Sequence, residues 1–242
     1  MKARWLAPFG MLLVMTMFAN AQSGPGHITQ VGYLAPATPL NTNPQSKPSP
    51  YEPQAGDIVL YDNFNKLYHL AFKIAKTAPP THAALVVARP DGTPALLELT
   101  GPRMITAKVS IIDVETRLRS YPGIIMVRRL RQPLSPEQSH DLTQFAQTET
   151  GKSFAFGRVL LQGTPFSPRD GLGRELFGKT HLTRNPWFCS EMVVAGCARA
   201  RLLDPRTHFA NATYPRDLAY DEKMDLSPLY HPPVHWTATA SR

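Results

Sequence analysis

Apolar and polar positions change period several times along the 242-residue chain, and each change marks an element. Asp57-Ile58-Val59-Leu60-Tyr61 is a short apolar run after Gly56 and predicts a strand. Leu67, Leu70, Ala71 and Ile74 follow the i, i+3, i+4, i+7 spacing of one helix face. Asn63 or Asn65 serves as its cap, and Pro79-Pro80 lie beyond its end. His82 to Arg89 and Ala95 to Thr100 read as strands, and Val109 to Val114 and Gly123 to Leu130 complete a β-rich stretch. Ser135-Pro136-Glu137-Gln138 is a capping box with Pro at the first helical position, predicting a helix to Thr150 with Gly151 as its stop. Phe154 to Leu161 fits either element type, and 162–185 reads as a long Gly- and Pro-containing loop. Asn185 and Pro186 then read as N-cap and N1 of a helix of small apolar residues reaching about Leu203, ended by Asp204-Pro205. The pattern is α+β, a small antiparallel sheet with helices before and after it.

The two ends of the chain differ from this middle. Lys2 and Arg4 precede an uncharged apolar stretch of 14 residues, Trp5 to Phe18, and Ala19-Asn20-Ala21 offers a small-x-small cleavage site. Residues 1–21 are therefore expected to be a secretory signal peptide, the run being short of the ~20 residues a membrane span needs. No later stretch approaches spanning length, so the mature chain is expected to be secreted or periplasmic without a span. Residues 22–53 hold seven prolines between Pro25 and Pro53 and read as an extended arm with little to bury. The catalytic-size domain is expected over 54–230, and 231–242, with Pro232-Pro233, as a loose tail. Proline at 24 of 242 residues also excludes a long coiled coil or helical bundle.

Export favours disulfides, yet the two cysteines do not suit one. Cys189 and Cys197 lie eight apart in one predicted helix, about 12 Å along its axis, whereas a bridge needs Cα atoms within about 7 Å. Either both thiols are buried, or one is kept for its reactivity. The net charge of +8 fits attraction to anionic envelope polymers or head groups, or simply a solvated basic surface. No basic run interleaved with aromatics and no finger or helix-turn-helix signature points to nucleic acid.

Cys189 stands within the first turn of its predicted helix, where unpaired N–H groups and the macrodipole favour a thiolate. The competing reading is a small buried hydrophobe, which suits Cys197 between Gly196 and Ala198. A nucleophilic thiol needs a base. Among eight histidines, His82 differs by opening a strand, at a sheet edge where active sites collect; otherwise it is a satisfied hydrogen-bonding residue. Arg89-Pro90-Asp91-Gly92-Thr93 suits a three-residue hairpin loop with Gly92 in the left-handed region. Paired positions then sum to 182, and His82 and Glu98 become diagonal neighbours on one face. A two-residue loop would reverse the parity and part them. Glu98 is an unexpected charge in Leu96-Leu97-Glu98-Leu99; an acid orienting an imidazole accounts for it, as does a solvent-facing strand position. His231-Pro-Pro-Val-His235 has metal-like spacing, but its prolines oppose the helix that would align the rings. No Gly-x-Ser-x-Gly elbow occurs, and no metal or cofactor is expected.

Taken in order, Gly56-Asp57-Ile58-Val59, Thr81-His82-Ala83-Ala84-Leu85-Val86, Leu97-Glu98 and Phe188-Cys189-Ser190-Glu191-Met192-Val193 resemble the circularly permuted papain-like amidases of the YaeF/YiiX type. These are relatives of NlpC-type cell-wall peptidases and of lecithin:retinol acyltransferase, and the histidine precedes the cysteine, as here. The resemblance covers about residues 54–203. It implies an NlpC-like fold with the nucleophile at a helix N-terminus, Cys189 as nucleophile, His82 as base and Glu98 as the third polar residue. The backbone N–H of Cys189 would donate to the oxyanion, with Tyr61 or Trp187 as candidates for a second donor, and Glu191 as a first-turn acid suited to the helix dipole. The resemblance implies an exported amidase or peptidase acting through a thioester, with peptidoglycan peptide as substrate. Acyl hydrolysis or transfer on lipid or lipoprotein is the alternative, favoured by a wide apolar groove beside Cys189. An idle envelope-binding module is the third reading.

Overall fold

Strand β3, Ile58–Asp62, lies near the centre of the sheet, and the rest of the fold is arranged about it. The structure is a computed structural model describing residues 29–36, 47–161 and 179–240. The strands are β1 (Tyr33–Pro36), β2 (Ser49–Pro50), β3, β4 (His82–Ala88), β5 (Pro94–Thr100), β6 (Lys108–Asp113), β7 (Ile124–Arg128) and β8 (Val234–Thr237). They form one eight-stranded sheet in the order β2-β1-β8-β7-β3-β4-β5-β6, every pairing antiparallel. The helices include α1 (Lys66–Ile74), α2 (Val114–Ser120), α3 (Pro136–Glu149), α4 (Phe156–Leu161), the cysteine helix (Cys189–Arg199) and a short helix at Pro215–Tyr220. The class is α+β, and Phe154 to Leu161, ambiguous by pattern, holds α4.

Alternation along the central strands sorts their side chains between two cores. Ile58, Leu60, Ala83, Leu85, Val87 and Leu97 face the larger one, closed by α3 and the cysteine helix. Val59, Tyr61, Ala84, Val86, Leu96 and Val127 face the smaller one, closed by Val114 and Leu118 of α2 and by Tyr51. Both faces being covered explains why these strands read as nearly continuous apolar runs. Helix α3 starts as its capping box requires: Gln138 N–H donates to Ser135 Oγ at 3.2 Å, and Ser135 N–H to Gln138 Oε1 at 2.9 Å.

The expected boundaries at 54 and 230 need correction. The described part of the arm is bound to the sheet through β1 and β2, and the presumed tail supplies β8, which pairs β1 with β7. Val31, Leu34 and Tyr51 are buried, and Trp236 donates from Nε1 to Val31 O at 2.7 Å. Tyr51 also donates to Asp57, whose carboxyl burial pushes up to about 6. A Pro-rich composition suggested little to bury, but a few apolar residues suffice for a short peripheral strand. The expected signal peptide lies outside the described residues, as does 162–178 of the expected loop. Among the described residues no helix is long and apolar enough to cross a membrane.

Candidate active site

The hairpin loop sets the register of the site. Arg89 N–H donates to Thr93 O at 2.8 Å, Gly92 N–H to Arg89 O at 2.9 Å, and Gly92 has φ +83°. The pairs Leu85↔Leu97, Val86↔Leu96, Val87↔Ala95 and Ala88↔Pro94 follow, which sets Ala84 opposite Glu98 when the register continues. His82 and Glu98 therefore lie diagonally on one face, and His82 Nε2 is 3.0 Å from Glu98 Oε1.

Glu98 is fully buried, and its second partner comes from α2. Arg117 grips it in bidentate fashion, Nε at 3.0 Å from Oε2 and Nη2 at 2.5 Å from Oε1. Tyr61 is also buried here, its hydroxyl 3.5 Å from Glu98 Oε2 and its ring stacked on His82 at 5.6 Å between centroids. Burial pushes the Glu98 carboxyl up, but His82 and Arg117 outweigh it and hold the group below its usual range.

Cys189 is the first residue of its helix, three positions later than Asn185-Pro186 suggested. Asn185 Oδ1 instead accepts from Ser153 N–H at 3.1 Å, and Phe188 occupies the N-cap position. The start is held by Glu191, buried at the third helical position, which accepts from Phe188 N–H at 3.2 Å. Arg158 and Arg184 each reach that carboxylate at 2.7 Å. Glu191 is thus the first-turn acid expected, and it is buried and paired there as an anchor for the helix start.

Cys189 and His82 are coupled. Burial disfavours a thiolate, yet the His82 cation and hydrogen bonds from the Ala83 and Ser190 backbone lower the thiol below its usual range. Burial likewise disfavours an imidazolium, yet the Cys189 and Glu98 charges raise His82 well above its usual range. The four groups form a chain, Cys189, His82, Glu98 and Arg117, in which each ionised form favours that of its neighbour; with all four ionised, the charges alternate and sum to zero, which limits the cost of burying them.

The chain of charges opens at Cys189 and His82 onto a cavity of about 570 Å³. Phe72, Ile74, Leu99, Met104, Phe154 and Phe188 give it an apolar lining, with Asn63, Thr81, Tyr121 and Thr213 among its polar groups. The backbone N–H of Cys189 belongs to the helix N-terminus that faces it. The two suggested second donors point elsewhere. Trp187 is buried and donates from Nε1 to Glu149 Oε2 at 2.6 Å, and Tyr61 is turned to Glu98; neither lines the cavity.

Of the sequence candidates, Cys189, His82 and Glu98 come together, and Arg117 is the partner that pattern reading missed. Its only signal was indirect: a carboxylate in an apolar strand needs a cation, and α2 follows the neighbouring strand. His69 pairs with Asp62 at 2.7 Å, away from the cavity lining, while His235 lies in β8 and His231 donates its backbone N–H to Arg129 O.

No protein-family model and no curated protein matches the chain. Among solved structures it is similar to the crystal structure of the metalloprotein YiiX from Escherichia coli O157:H7, DUF1105. The identity is 22%, the TM-score 0.42, and the match covers 62% of this chain and 67% of that one. Among the described residues no three His, Cys, Asp or Glu groups gather so as to hold a metal ion. Among the described residues Cys189 and His82 have no third ligand beside them, and Glu98 is already committed to Arg117, so these residues do not fit a metal.

Proposed function

We propose that the chain is a cysteine-dependent hydrolase that opens an amide or ester bond through a thioester on Cys189. The observation that carries this reading is the alternating chain Cys189–His82–Glu98–Arg117, which ends at a cavity. A thiolate formed in the resting state attacks the carbonyl carbon, making the C–S bond and a tetrahedral oxyanion. The Cys189 N–H donates to that oxygen at the helix N-terminus. Collapse expels the leaving amine or alcohol, which takes its proton from the His82 imidazolium. Neutral His82 then removes a proton from water, which attacks the thioester and returns the thiolate and imidazolium. Glu98 keeps the imidazole oriented, and Arg117 keeps Glu98 ionised.

The resemblance leaves two substrate classes, peptidoglycan peptide and acyl lipid or lipoprotein. The apolar lining favours the second, since a stem peptide carries charged groups that Phe72, Met104, Phe154 and Phe188 would leave unpaired. An acyl chain fits that lining. A mass-spectrometric product screen tests the reading, comparing the parent with Cys189→Ala on muropeptides and on a phospholipid and lipopeptide panel. Cys189-dependent loss or transfer of an acyl chain is the expected result. Cleavage of a muropeptide amide alone would return the chain to the cell-wall amidases. No Cys189-dependent product would sink the enzyme reading in favour of an idle binding module.

A further inference from the structure

Helix α1 has the apolar stripe of a core helix, but the stripe faces outward. Leu67 is 76% exposed, Leu70 55% and Ile74 61%, with Phe64 just before the helix at 57%. They are four of the seven large apolar residues that stand exposed among the described residues. Scattered singly such residues need no explanation, but an apolar face along one helix does. The helix is fixed through its other positions: Phe72 packs near Tyr214, and His69 reaches Asp62 at 2.7 Å. The exposed stripe therefore contributes nothing to holding α1 in place.

Charge indicates what covers it. Lys66, Lys73 and Lys76 are exposed beside the stripe, and none of them is in an ion pair among the described residues. No Asp or Glu occurs from 63 through 90. Lysines flanking an apolar face are the pattern of a helix lying in a bilayer interface. A second copy of this chain would bring lysine against lysine on molecules that carry +6 from Gln22 onward, the full +8 less Lys2 and Arg4, whereas anionic head groups complement them.

The stripe also runs into the site. Ile74 is both exposed and part of the cavity lining, and Ile105, 62% exposed, follows Met104 in the cavity wall beside exposed Arg103. We infer that α1 docks the protein on an anionic phospholipid bilayer, with Leu67, Leu70 and Ile74 in the acyl boundary and the lysines at the head groups. This sets the cavity mouth at the bilayer surface, so an acyl substrate passes Ile74 to Cys189 without crossing water; that last step rests on the hydrolase reading above.

Vesicle flotation tests the docking. The chain from Gln22, which keeps every described residue, carries Cys189→Ala so that turnover plays no part. It is expected to float with 3:1 phosphatidylcholine:phosphatidylglycerol vesicles, and at least about tenfold less with phosphatidylcholine alone. Leu67→Ser/Leu70→Ser/Ile74→Ser is expected to lose about tenfold on the anionic vesicles. Lys66→Glu/Lys73→Glu, which leaves the stripe intact, is expected to fall to the neutral-vesicle level. Absence of flotation with either vesicle, or a serine variant that floats like its parent, would overturn the docking. So would a parent that dimerises without binding lipid and becomes monomeric in the serine variant. Flotation without any Cys189-dependent product in the separate screen would leave the docking standing and remove the hydrolase reading.

Discussion

Cys189 and Cys197 share one helix and are both buried, yet their surroundings drive them in opposite directions. Cys197 lies in the second half of the helix, its sulfur 3.3 Å from the Tyr230 hydroxyl, which donates to Gly56 O at 3.1 Å. Burial pushes its thiol up to about 11, the hydrogen bond with Tyr230 offsetting only part of it. Cys189 pays the same desolvation at the first position of the helix, but a buried imidazolium and two backbone N–H groups more than offset it. Burial alone disfavours the thiolate; a neighbouring cation and a helix N-terminus favour it, and the thiolate is the form that can act as a nucleophile.

The largest expected effect is therefore in alkylation. At pH 7, iodoacetamide should modify Cys189 at least about 100-fold faster than Cys197, the two rates read by peptide mass spectrometry; the figure follows from the thiolate fractions of a thiol near 11 and one below 9. Because the Cys189 thiol is lowered, the fall in its rate on acidification should begin at a lower pH than for an ordinary thiol. His82→Ala removes the cation, so the rise in rate should move to higher pH and the rate at pH 7 should fall at least about tenfold. Equal and sluggish rates at both cysteines would remove the distinction between the two halves of the helix.

The next effect concerns the far end of the charge chain. Arg117→Met leaves Glu98 fully buried with His82 as its remaining charged partner. Removing one member of a buried pair is costly, and because Arg117 is partly exposed and His82 remains, the loss should be about 2 kcal/mol in urea unfolding at pH 7. The sign with pH is fixed by Glu98. Its carboxyl is held below the ordinary value in the folded protein, so its stabilising contribution is present above about pH 4.5 and is lost as pH falls through the folded value. The gap between parent and Arg117→Met should therefore shrink on acidification. A gap that stays constant as pH falls from 7 through the folded Glu98 value would mean that Arg117 acts by packing on Tyr61 and Tyr121, over which its guanidinium lies at 5.4 and 5.2 Å.

What the sequence reveals of this site follows the range of its interactions. The His82–Glu98 relation was legible because a five-residue loop signature fixes parity, and parity fixes the face. Arg117 was not legible, because which of Arg117 and Arg119 turns inward depends on how α2 is laid across β5 and β6; Arg119 pairs instead with Glu115 at 2.8 Å. The β1–β8 pairing joins residues about 200 positions apart, as Tyr33↔Thr237 illustrates, and short Pro-bordered strands carry no periodic signal over such a distance. For α1, periodicity reported correctly that an apolar face exists, but not whether protein covers it.

The smallest expected effect tests whether the two halves of the cysteine helix are independent. Gly196 packs directly on the sheet: a Cβ there would lie 2.7 Å from Leu85 Cδ2, 3.3 Å from Phe145 and 3.4 Å from Leu142. Gly196→Ala gains about 1 kcal/mol of helix propensity, against an overpacking cost of about 1–3 kcal/mol in a core whose neighbours are fully buried or nearly so. A net loss of about 1 kcal/mol in urea unfolding should result. The start of the helix is held separately by Glu191 with Arg158 and Arg184, so the Cys189 alkylation rate at pH 7 should stay within twofold of the parent, roughly the spread that distant, independent sites allow. A tenfold change in that rate would show that packing at Gly196 sets the position of Cys189 against His82, and that the reactive and inert halves of the helix are one device.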